Sequence, residues 1–203
     1  MAEKLIIDIY KNKTPDELTK ILSEKDSRLE CGSAAALTAS AAAALFARAA
    51  AFTAGEVKND ARVDYILRNS EIIRSYMVYL IDEDVKSRNP LRKALRDGDE
   101  RAAEAARQPA VCIAGEIINM MGQCLELMLE LSEKCPHEAM HYLGEAAHLA
   151  YGAMKSCRVY IVNMADKCSD ETYRFVTRRE NEMSFEKYGK VYDQLVLKVE
   201  EHI

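Results

Sequence analysis

From Asn59 the chain sets Val63, Ile66, Leu67, Ser70, Ile73, Met77, Leu80 and Ile81 three and four residues apart, the period at which side chains share one face of an α-helix. That stripe predicts a long helix with one side on a core. Ahead of it, "RLECGSAAALTASAAAALFARAAAF" carries twelve alanines between Ala34 and Ala51. Alanine is the best helix former and has almost no bulk, so neighbouring helices can approach its axis closely. The segment is predicted as the centre of a bundle, with Gly32 as a tight turn before it and Ser33 as its N-cap. Thr14-Pro15-Asp16-Glu17 reads as a helix start, with Thr14 capping, Pro15 at the first helical position and Glu17 reaching back, and this helix should run to about Glu24. After the long helix, Pro90 and Gly98 predict a turn around "SRNPLRKALRDGD". Next comes a helix from about Asp99 to Lys134, kinked near Pro109 where a backbone donor is lost. Cys135-Pro136 opens a fifth helix to about Ala165, and Ser169 caps a sixth that reaches the C-terminus. No stretch alternates or clusters β-branched residues as a strand does. The pattern predicts an all-α fold: one domain over 1–203, a bundle of about six helices around the Ala-rich one.

A chain of 203 residues supplies one sizeable core, and 8 glycines with 4 prolines leave few turns, which agrees with long helices. The net charge of −5 provides no basic field for nucleic acid or an anionic membrane surface, so neither partner is expected. Ala34 to Ala51 is interrupted by Thr38, Ser40 and Arg48 and is too weakly hydrophobic for a convincing membrane span. "MAEKLIIDIYKNK" lacks the apolar run of a secretion signal. The six cysteines therefore read as reduced thiols of a cytoplasmic protein rather than a disulfide set.

Two patterns carry candidate chemistry. "CPHEAMHYLGEAAH" contains H-E-x-x-H, which on a helix puts His137 and His141 on one face with Glu138 beside them, as zinc peptidases do. A third ligand in the longer form of that motif would fall at Ala147, not His148, and no strand is predicted to hold a peptide substrate. Exposed helix residues are the competing reading, and no metal is expected. The second pattern is the core stripe itself. Four beyond Leu80 it reaches Asp84, an acid on the buried side, while Asp82 and Glu83 turn toward solvent or another helix. A buried carboxyl can be tuned to exchange protons near neutrality. A solvated helix end is the alternative.

"ECGSAAALTASAAAALFARAAAFTAG", then "YLIDED", then Pro109 opening an apolar helical segment, then "GAMKSCRVYIVNMADKCSDETY" resemble, in that order, the cyclodeaminase and cyclohydrolase family of folate one-carbon metabolism. The resemblance spans nearly the whole chain. It implies a dimeric all-α bundle with a pocket for a tetrahydrofolate derivative as substrate. The implied chemistry is ring closure of formiminotetrahydrofolate with loss of ammonia, or hydration of the methenyl form. Residue by residue, the family's Pro-Gly-Gly-Gly-Ser turn stands here as Leu29-Glu30-Cys31-Gly32-Ser33, which implies substrate binding at Cys31, Gly32 and Ser33, with Glu30 set against an anionic folate tail. The family's acidic segment keeps Asp82 and Asp84 as catalytic candidates but has Ser87-Arg88 in place of Ala-Phe. Asn163 matches a substrate-binding position, and His141, standing where the family has a later aspartate, is a third catalytic candidate that can shuttle protons near neutral pH. Arg88 or Arg48 is a candidate for the glutamate tail. The connection to Pro109 is shorter than in the family. These departures motivate an alternative: a non-catalytic relative that binds folate or a protein partner.

Overall fold

The structure, a computed structural model, describes residues 9–202; most of the stretch read for a secretion signal lies outside them. Among the described residues there are seven α-helices, two single-turn 3-10 helices at Tyr10–Asn12 and Pro109–Val111, and no strand. The all-α expectation holds, with one helix more than the pattern predicts.

α1 (Pro15–Ser23) starts as read: the Glu17 amide donates to Thr14 Oγ1 at 3.3 Å and the Thr14 amide to Glu17 Oε2 at 2.7 Å, a reciprocal capping box. α2 (Cys31–Glu56) is the Ala-rich helix. Ala36, Ala39, Ala42, Ala43, Ala49 and Ala50 are completely buried. It packs chiefly against α3 (Ala61–Asp97) and α6 (His137–Asp166), and also against α5 (Cys112–Ser132). Its small side chains bring those axes close, and the apolar mass comes from its neighbours. Met77, Leu80, Leu125, Met128, Leu143 and Met154 are all fully buried, each worth roughly 1.5–3 kcal/mol of transfer free energy.

Three boundaries differ from the pattern. α3 runs unbroken through Pro90 to Asp97. Proline costs the bond to the carbonyl four residues earlier. Pro90 and Lys86 both lie on the exposed face, open to solvent, while Arg88, Leu91 and Ala94 keep the other face packed. The helix stops instead at Gly98, whose φ of 70° is the left-handed cap glycine favours. The predicted Asp99–Lys134 helix is three pieces: α4 (Glu100–Arg107), the Pro109–Val111 turn, and α5. Here the proline ends the helix rather than kinking it, because Ala110 and Val111 are pulled into the core. α7 (Glu171–Glu200) is capped by Asp170, which accepts from the Tyr173 amide at 3.0 Å. Ser169, predicted as that cap, instead donates its amide and hydroxyl to Glu104 Oε1, each at 2.7 Å.

α2 and the Pro109–Ser132 segment have the length and mean hydropathy of membrane-crossing helices, 1.5 and 1.3, and about half of each window is buried inside the bundle. Core helices of this kind pass the same test. All six cysteines are unpaired thiols.

Candidate functional site at the N-terminus of the Ala-rich helix

Asp84 is the point where the α3 stripe turns polar, and it is completely buried. Its Oδ2 accepts from the Ser33 amide at 2.9 Å, the Ser33 hydroxyl at 2.8 Å and Arg88 Nη2 at 3.0 Å. Ser33 is therefore not the N-cap of α2. Glu30 holds that position without a side-chain cap bond, and Ser33 is the third helical residue. The missing cap comes from α3. An acid borrowed from another helix satisfies a free amide at the positive end of a long helix dipole. The approach depends on Gly32, because a Cβ there would stand 2.0 Å from Asp84 Oδ1 and 2.5 Å from its Cγ. Oδ1 itself has no hydrogen-bond partner among the described residues.

One turn further along α3, Arg88 is only 2 % exposed. Besides Asp84, its Nη2 donates to the Arg28 carbonyl at 2.7 Å, and its Nη1 pairs with Glu30 Oε2 at 2.6 Å. Burial works against the charge on Arg88, and Asp84 and Glu30 more than offset it, so its pKa is raised. Arg92, another turn on, donates to the Ser27 carbonyl at 2.9 Å and lies 3.8 Å from Glu30 Oε1. Residues 27–30, the connection from α1 to α2, are thus tied to α3 by two arginines. Both amino groups of Arg88 are engaged within the chain, which is why the structure does not present it as an open cradle for a ligand tail.

Cys31 donates its thiol to the Ser156 carbonyl of α6 at 3.1 Å. Burial, reinforced by the charge of Asp84, pushes that thiol up to about 11, so it is a neutral hydrogen-bond donor and not a nucleophile. Tyr160 and Cys157, nearby on α6, are likewise raised, chiefly by burial.

The other predicted residues lie elsewhere. Asp82 faces away from Asp84 and is also buried; its Oδ1 accepts from the Tyr10 amide at 2.7 Å and the Lys11 amide at 3.2 Å, holding the first 3-10 turn. The two retained acids therefore serve different elements. His141 is exposed against the Tyr142 ring, 3.8 Å between centroids, and Arg48 covers the same ring at 4.4 Å. α2 meets α6 at Ser156. His141 lies about 22 Å back along α6 at roughly 1.5 Å per residue, so one protomer does not bring it to Asp84. Asn163 is exposed in a separate groove of about 570 Å³ with Lys155, Arg158, Val159 and Arg178. His137 and Glu138 are exposed too, and among the described residues no three His, Cys, Asp or Glu side chains converge as a metal site. A cleft of about 300 Å³ is lined by Tyr10, Lys13, Ile21, Ser27 and Arg28. Neither space is lined by Asp84 or Ser33.

Sequence reasoning missed two participants. Glu30 reads as a repulsive charge but is an ion-pair partner, and Arg92 was not singled out. The Asp84-Arg88-Arg92 spacing of four was the available signal, since it puts all three on one face of α3.

Comparison with known proteins bears on the family and the fold. The family model described as formiminotransferase-cyclodeaminase matches residues 14–183. No curated protein matches the chain. Among solved structures, the crystal structure of formiminotetrahydrofolate cyclodeaminase from Thermotoga maritima is similar with a TM-score of 0.85 at 19% identity, over 94% of this chain and 97% of that one. At that identity the likeness is one of fold.

Proposed function

Because the chain belongs to the formiminotransferase-cyclodeaminase family, we propose that it acts on a reduced folate at the N-terminus of α2, as a methenyltetrahydrofolate cyclohydrolase or formiminotetrahydrofolate cyclodeaminase with Asp84 as general acid and base. The observation that carries this reading is the meeting of Asp84 with Gly32 and Ser33, an acid from one helix held at the amide-rich end of another. In hydration of the methenyl form, water adds to the carbon that bridges two folate nitrogens. Asp84 takes a proton from the water as the C–O bond forms and hands it to the folate nitrogen whose C–N bond breaks, while the remaining hydroxyl proton is lost as the formyl C=O forms. In the cyclodeaminase reaction a folate nitrogen closes on the formimino carbon, and Asp84 protonates the nitrogen that leaves as ammonia. Positioned proton transfer of this kind contributes roughly a hundredfold or more. Ser33 and the first-turn amides of α2 orient the ligand. This reading also takes the protein to be cytoplasmic and homodimeric. A second subunit is the only route by which His141 would join the site.

A second reading is favoured by one observation: Asp84 is fully buried and already holds Ser33 and Arg88. On that basis the chain is a non-catalytic relative that binds a folate or a protein partner. The two readings separate in one pair of experiments. Pure protein is mixed with methenyltetrahydrofolate while its chromophore is followed, and tetrahydrofolates are titrated by calorimetry. Decay above the buffer blank that drops about a hundredfold in Asp84→Asn supports catalysis. Binding with decay equal to the blank supports the second reading, and no binding removes the folate assignment.

A further inference from the structure

Asp84 shares Arg88 with a short segment, residues 27–30, that carries an unusual set of ties. The polar ties from this segment to α3 run to Arg88 and Arg92: the Arg28 carbonyl at 2.7 Å, the Ser27 carbonyl at 2.9 Å, and the Glu30 carboxylate between both guanidiniums, while Leu29 among them is buried in the core. We propose that this segment is a lid over Asp84, latched by the Glu30–Arg88 ion pair, and that a ligand reaches the acid only after the latch opens.

Four features of the site support the proposal. The partners of the latch are unequal: the Arg88 side chain is 2% exposed and fixed, whereas that of Glu30 is 42% exposed and makes no cap bond to its own helix. Glu30 is therefore the partner able to leave. When it does, Arg88 keeps Asp84 as its counter-ion at 3.0 Å, so opening does not strand a buried charge, the outcome that makes most buried pairs hard to break. The closed arrangement is also incompletely satisfied. Asp84 Oδ1, Arg88 Nε and Arg88 Nη1 are buried without a hydrogen-bond partner among the described residues, Nη1 although it lies 2.6 Å from Glu30 Oε2 as an ion pair. Buried polar atoms are nearly always paired, and a bound molecule with a donor and an acceptor would supply what the lid does not. Finally, the segment borders open space, since Ser27 and Arg28 line the cleft of about 300 Å³.

The proposal rests on the folate reading for the identity of the ligand, a reduced folate whose pterin edge carries both donors and acceptors. Hydrogen exchange tests the lid, and calorimetry with 5-formyltetrahydrofolate tests the ligand. In Glu30→Gln, with folding checked by circular dichroism, amides 27–33 should exchange at least about tenfold faster than in wild type, and folate affinity should rise by about the same factor. A half-exposed ion pair is also screened by salt. Raising KCl to about 1 M should therefore speed exchange of these amides in wild type and leave Glu30→Gln unchanged, a response that packing alone would not give. Exchange within twofold of wild type in Glu30→Gln overturns the latch. Faster exchange with unchanged folate affinity overturns the gating of access. Faster exchange with no folate binding in either protein leaves the latch standing and overturns the folate reading.

Discussion

Gly32→Ala puts the geometry of the site under the most direct strain. The added methyl would sit 2.0 Å from Asp84 Oδ1, 2.5 Å from Cγ and 3.0 Å from Oδ2, against an ordinary contact of 3.4 Å or more. The carboxylate must move by more than about 1 Å, yet it is completely buried and its Oδ2 is held by the Ser33 amide, the Ser33 hydroxyl and Arg88. Overpacking of this kind costs about 1–3 kcal/mol. Weakening the charged hydrogen bonds adds roughly 1.5–3 kcal/mol. The better helix propensity of alanine returns about 1 kcal/mol. The net expectation is a loss of about 3 kcal/mol, or a Tm lower by roughly 6–12 °C for a chain of this size. Gly152→Ala is the control, because a Cβ there meets nothing within 4 Å. The same substitution in α6 should stabilise by about 0.5–1 kcal/mol. Urea titrations followed by far-UV circular dichroism measure both. If Gly32→Ala lies within about 0.5 kcal/mol of wild type, or if the two variants change stability equally, the close docking of Asp84 on α2 is wrong.

Asp82→Ala removes the acceptor for the Tyr10 and Lys11 amides. It should cost about 2 kcal/mol and deprotect the Tyr10 amide in hydrogen exchange; an unchanged Tyr10 amide would refute the anchoring role. With an aromatic disulfide reagent at pH 8, the exposed Cys112 should give one fast phase, because burial raises the thiols of Cys31, Cys124, Cys135, Cys157 and Cys168. Cys112→Ser should abolish that phase. The raised Cys31 thiol also sets a sign for alkaline stability. Its pKa moves from an ordinary 9.0 up to about 11 on folding, so the native state holds its proton more tightly. The stabilisation is complete below about pH 9 and is lost as pH rises through 11. Denaturation at pH 8 to 10.5 should show a downward slope that is shallower in Cys31→Ala.

Side-chain periodicity and composition alone determined the helical class, the long α3 stripe, the burial of Asp84, the central place of the Ala-rich helix and the start of α1. All of these follow from contacts within a few residues or from one residue's fit to its neighbours. The order of the segments carried the family likeness as well. What lay beyond the sequence depended on which distant groups meet. Pro90 reads as a breaker, but packing on the opposite face carries α3 past it, while Pro109 ends a helix because the residues after it are drawn into the core. Ser33 reads as a cap and Ser169 as another, yet Asp84 and Asp170 do the capping. Glu104, 65 residues away, holds Ser169. Glu30 reads as a charge set against a ligand, and only folding shows it joined to Arg88. His141 reads as part of the same chemistry as Asp84, but the length of α6 keeps the two apart within one subunit. Local propensity is written along the chain, whereas the pairing of a buried charge depends on whatever the bundle brings within 3 Å of it.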